Sequence, residues 1–148
     1  MIGYRPARTA ALALFVLGSA ACDKLHHVRI DVGPDPTVAS CLPPLTSEER
    51  ERALAVFATV ASRLGLSCRP GQYPLISGSY DEAQYRLTEC NKDHTDIQLA
   101  VASGHVTVEV HKISGILEPR TFKECRAQFA EALTHAFPKG RVTVRYPH

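Results

Sequence analysis

Two periodicities run along this chain, and the switches between them mark its elements. Over residues 97–110 apolar and polar positions alternate with period two. If Ser103–Gly104 makes a turn that sets Ala102 against His105, then Val101 faces Val106, Leu99 faces Val108 and Ile97 faces Val110. All six apolar side chains then share one face, and a slip of one residue scatters them. Residues 85–113, YRLTECNKDHTDIQLAVASGHVTVEVHKI, therefore read as a three-stranded meander. Residues 45–66, LTSEERERALAVFATVASRLGL, follow a helical period instead. Ala53, Phe57, Val60, Ala61 and Leu64 form the stripe, which Leu54 and Val56 widen. Thr46 with Glu49 fits a capping box, and Gly65 is the expected stop. A second helix spans 118–140, with Phe122, Cys125, Phe129, Leu133 and Ala136 on its stripe, broadened by Phe137 and ended by Pro138 and Gly140. RVTVRY closes the chain as a strand with Val142, Val144 and Tyr146 on one face. The expected fold is α+β: two amphipathic helices on a mainly antiparallel sheet of three to five strands, in two layers.

The start of the chain follows different rules. Arg5 and Arg8 precede an apolar run, residues 10–17, which ends in Gly18, Ser19, Ala20, Ala21 and then Cys22. That is the three-part layout of a secretory signal peptide. The run is too short to span a bilayer, which takes about 20 apolar residues. Small residues leading into a cysteine resemble the lipobox of bacterial lipoproteins, whose cysteine becomes the acylated N-terminus. That family places leucine or a similar residue three before the cysteine; here Ser19 stands there and Leu17 lies five before. The resemblance implies that residues 1–21 are removed, that Cys22 is lipidated, and that the chain is held on the periplasmic side of a bacterial membrane. Asp23 disfavours transfer to the outer membrane in enterobacterial members; inner or outer membrane stays open. Ser19 and Ala21 also satisfy ordinary signal-peptidase cleavage, the alternative reading. Residues 22–44 carry four prolines and one glycine and read as a tether, in which Val28, Ile30 and Val32 alternate with Arg29 and Asp31 as a short edge strand. The single domain is then 45–148.

Charge and cysteine content narrow the picture. The full chain has 17 basic and 15 acidic residues. Two of the bases lie in the leader, so the exported chain is neutral and lacks the basic surplus that nucleic-acid binding requires. With Cys22 acylated, Cys41, Cys68, Cys90 and Cys125 remain, an even set suited to an oxidising compartment. Three pairings are open; Cys68–Cys90 with Cys41–Cys125 is preferred, and reduced buried thiols are the alternative. The spacing lacks C-x-x-C, which removes support for redox or zinc-ribbon chemistry.

The hairpin's other face carries the remaining candidate chemistry. The same register sets Asp96 against His111 and Gln98 against Glu109, with His94 diagonal to His111. A solvated polar face is the plain expectation. His94, Asp96, Glu109 and His111 are also a candidate set for a divalent metal, with His26 and His27 as possible helpers. Nucleophile elbows, H-E-x-x-H and phosphate-binding glycine loops are absent, so an enzyme is not expected. The leading functional expectation is a membrane-anchored envelope module that engages a protein partner through an exposed sheet face or edge. The alternatives are a periplasmic metal-binding or sensor protein and an envelope inhibitor or immunity protein.

Overall fold

The computed structural model describes residues 23–34, 41–71, 86–102 and 104–147. The leader, Cys22, residues 35–40 of the expected tether, the loop 72–85 and Ser103 lie outside the described residues. The elements are β1 (Lys24–Val32), α1 (Ser47–Leu64), β2 (Ser67–Pro70), β3 (Arg86–Lys92), β4 (Thr95–Val101), β5 (Val106–Ser114), α2 (Arg120–Ala136) and β6 (Val142–Arg145). Six strands form one antiparallel sheet in the order β2-β3-β4-β5-β1-β6. Both helices pack on it, so the α+β layering is as expected and the strand count is one above the range. Among the described residues no helix is long and apolar enough to cross a membrane.

The β4–β5 register is the one the alternation demanded: Ile97 opposite Val110, Leu99 opposite Val108 and Val101 opposite Val106. The backbone N–H of Ala102 donates to the carbonyl of His105 at 3.0 Å, closing the turn. Asp93 and His94 both take positive φ, 49° and 57°, making the tight connection between β3 and β4. The capping box holds: Thr46 Oγ1 accepts from the Glu49 N–H at 3.1 Å, and Glu49 Oε2 accepts from the Thr46 N–H at 2.9 Å. Gly65, at φ 68°, ends α1, with Leu66 N–H returning to the Ala61 carbonyl. Val28, Ile30, Val108 and Val110 pack beneath Phe57 of α1 and Phe122, Cys125, Phe129 and Leu133 of α2. The Phe57 and Phe129 rings stack at 5.0 Å across the helix pair.

Two expectations need correction. First, 24–32 is neither tether nor edge strand. β1 lies between β5 and β6, pairs with β5 over nine residues, and buries Val28, Ile30 and Val32 completely. The sheet thus reaches back at least to Lys24, well before residue 45. The alternation was visible, but it could not reveal a partner so distant in the chain. Second, Cys68 and Cys90 sit directly opposite on β2 and β3 and are bonded, whereas Cys41 and Cys125 are free, the first exposed and the second buried. The reason is position along the sheet. Residues just after Cys41 join the β4–β5 turn, where the Leu45 N–H meets the Gly104 carbonyl at 2.7 Å. The start of α2, one turn before Cys125, meets the opposite turn through Thr121 Oγ1 to Asp93 Oδ2 at 3.3 Å. The length of β4, roughly 20 Å at about 3.3 Å per residue, separates those ends, and a disulfide tolerates a Cα separation of only about 7 Å.

Candidate metal centre

The aliphatic faces of β1 and β5 fix what meets on their other side. With Val28 opposite Val110 and Ile30 opposite Val108 toward the helices, His27 falls opposite His111 and Arg29 opposite Glu109 away from them. Directly opposed side chains have Cβ atoms about 5 Å apart, and the two imidazoles lie face to face, centroids 4.3 Å apart and planes 31° from parallel. Glu109, one pleat along, reaches both rings. Its Oε1 is 3.9 Å from His27 Nε2 and its Oε2 is 3.4 Å from His111 Nε2. One nitrogen or oxygen from each of the three residues falls within 4.8 Å of the others.

The middle of this face is not solvated, contrary to the plain expectation. Glu109 and His111 are each 4% exposed, Gln98 2% and Asp31 1%. Inside the cluster His27 Nε2, Glu109 Oε2 and both ring nitrogens of His111 make no hydrogen bond. The 3.4 Å approach of Glu109 to His111 is an ion-pair distance without hydrogen-bond alignment. Leaving a buried polar group unpaired costs about 1–3 kcal/mol, so polar atoms converging in this way call for a ligand. Burial, then the neighbouring His111, pushes the His27 imidazole down to about 4, against the opposing pull of Glu109. Burial pushes the Glu109 carboxyl up, but His111, His27 and Arg29 outweigh it and hold the group below its ordinary value. At neutral pH His27 is therefore an uncharged imidazole and Glu109 a carboxylate, the protonation states in which both bind metal.

A charged network borders the cluster. Asp31 takes both carboxylate oxygens to Arg29 Nε, at 3.0 and 3.1 Å. It also accepts from Thr107 Oγ1 at 2.8 Å and from Arg145 Nη2 at 2.6 Å. Two guanidinium groups and a hydroxyl thus satisfy a fully buried carboxylate, as burial of charge requires. Sequence reading missed this network because it joins β1, β5 and β6, whose adjacency no local pattern carries.

Of the four residues expected to gather, the structure brings together Glu109 and His111 and separates the other two. His94 occupies the exposed β3–β4 turn. Asp96 is opposite His111 as expected, but it is exposed and accepts from Asn91 Nδ2 at 2.6 Å. His27 takes their place. Its neighbour His26 points to the helix side, where Nε2 lies 2.9 Å from the Gly115 carbonyl and the ring sits 5.7 Å from Phe122. Two imidazoles and a carboxylate suit zinc, copper or nickel better than calcium or magnesium, which prefer all-oxygen shells. Three protein ligands also leave a coordination position for water or an anion. No protein-family model, no curated protein and no solved structure matches this chain.

Proposed function

We propose that this is an exported, lipid-anchored bacterial envelope protein whose domain binds one divalent transition-metal ion through His27, Glu109 and His111. The observation that carries the metal reading is the buried convergence of these three side chains with unpaired nitrogen and oxygen atoms. What supports export is the leader's layout, the cysteine at its end and the Cys68–Cys90 bridge, a feature of oxidising compartments. For the envelope-partner reading the middle of the sheet face is buried, and what supports it is the two edge strands, exposed β2 and partly exposed β6.

Titrating zinc and copper into the metal-free exported chain, followed by calorimetry and native mass spectrometry, tests the metal reading. One equivalent should bind with micromolar or tighter affinity. Glu109→Gln, nearly isosteric, and His111→Ala should each weaken binding at least about tenfold with unchanged far-ultraviolet circular dichroism. No binding at micromolar zinc or copper would eliminate the proposal. Intact-mass analysis of the protein from its native host tests the anchor: acyl mass on Cys22 supports it, and a retained leader or a bare cysteine rejects it.

A further inference from the structure

We propose that the end of the sheet at which β1 begins is a bilayer-docking surface, on which the domain rests through Leu25, Ile113, Ile116 and Leu117. Leu25 and Ile113 are cross-strand partners at the start of β1 and the end of β5, and they are 46% and 70% exposed. Ile116 and Leu117, in the loop after β5, are 71% and 86% exposed. That loop is pinned on both sides of its tip. His26 Nε2 contacts the Gly115 carbonyl, and the Arg126 guanidinium grips both carboxylate oxygens of Glu118. Fixing these flanks while presenting two large aliphatic side chains at the tip leaves the apolar group outward at little further ordering cost.

The occupant follows from chain length. Only Asp23 separates Cys22 from the first residue of β1, and two residues reach about 7 Å when fully extended. A lipid on Cys22 would therefore hold this end of the sheet at the headgroup layer, not tens of ångströms away on a tether. The surface rests in this respect on the anchored reading. Exposed Lys24, Arg120 and Lys123 stand at this end beside acidic Asp23, Asp93 and Glu124. With both signs present, contact depends on the apolar side chains and should need no anionic lipid.

The chain has no tryptophan, so Leu117→Trp supplies a single reporter. In a Cys41→Ser background Cys22 is the thiol available to a maleimide lipid, because Cys68 and Cys90 are bonded and Cys125 is buried. The chain beginning at Cys22 is tethered in this way to phosphatidylcholine vesicles, with or without brominated acyl chains. Bromine should cut the Leu117→Trp emission about twofold, as for a side chain seated several ångströms below the headgroups. Adding Ile116→Asp should restore the emission, and a Glu131→Trp reporter on the exposed side of α2 should stay unquenched. No quenching of Leu117→Trp, or equal quenching of Glu131→Trp, overturns the docking surface. Because the tether here is synthetic, the native acyl group is judged separately by intact mass. Quenching without native acyl mass overturns the anchored reading and leaves the surface standing; acyl mass without quenching overturns the surface alone.

Discussion

Burial beside His111 pushes the His27 imidazole down to about 4 from an ordinary 6.5, so the folded state resists a proton that the unfolded chain accepts readily. A depressed group of this kind costs nothing above its unfolded value and removes stability as pH falls from about 6.5 toward 4. Between pH 7 and pH 5 the metal-free domain should lose about 2 kcal/mol, at 1.36 kcal/mol per pKa unit. Urea unfolding at the two pH values measures this, and His27→Gln should flatten the difference; an unchanged slope in that variant would reject a neutral buried imidazole. Glu109 acts in the same direction but later, since its lowered carboxyl loses its contribution only as pH drops through its folded value. Asp31 is a different case. It is 1% exposed and compensates Arg29 and Arg145. Asp31→Asn removes the charge while keeping the shape, and denaturant melts should show a loss of about 3 kcal/mol, the range for breaking a buried pair, reduced because Arg145 is partly exposed.

β1 is the element on which both the core and the candidate centre depend. It contributes Val28, Ile30 and Val32, all fully buried, worth together about 5–9 kcal/mol at about 1.5–3 kcal/mol per buried aliphatic side chain. Whole domains are stable by only about 5–15 kcal/mol. A chain beginning at Gly33 should therefore be unfolded by circular dichroism and size exclusion, whereas removal of a mere tether would leave a folded domain. The same strand shows how much of the site could be read beforehand. Ionisable His27, Arg29 and Asp31 alternate with Val28, Ile30 and Val32, and that alone announces a strand with a strongly polar face. What it cannot announce is the neighbour. The β4–β5 hairpin was legible down to its register because a tight turn links its strands. β1 and β5 are joined by no tight turn, since α1, β2, β3 and β4 lie between them in the chain, and His27 reaches Glu109 and His111 only through that pairing.

Across the molecule, the disulfide and the candidate centre sit apart. The Cys68–Cys90 bridge closes a segment with a sequence separation of 22, which in the chain-entropy account contributes about 3 kcal/mol. It joins β2 to β3 at one side of the sheet, while His27 and His111 lie on β1 and β5. The double variant Cys68→Ala/Cys90→Ala should lower unfolding free energy by about that amount in denaturant melts and leave zinc or copper affinity within a few-fold of the parent. A collapse of metal affinity in a variant that remains folded would show the centre to be coupled to the far strands. Cys125, by contrast, belongs to the core: burial, then Glu124, pushes its thiol up to about 11, so it stays protonated and unreactive while the domain is folded.

The amino-acid sequence alone determined what depends on neighbours along the chain: two amphipathic helices with the first one's capping box and glycine stop, the β4–β5 register, and an α+β layering that buries one apolar face per element. Those features arise from side-chain periodicity and turn chemistry, which act within some twenty residues. Tertiary structure decided the rest. It placed β1 inside the sheet, buried the middle of the polar face that alternation marks as solvent-facing, left Cys41 and Cys125 apart, and exchanged His94 and Asp96 for His27. Each of these depends on which strands become neighbours, and that choice is made by burial of the whole aliphatic face at once.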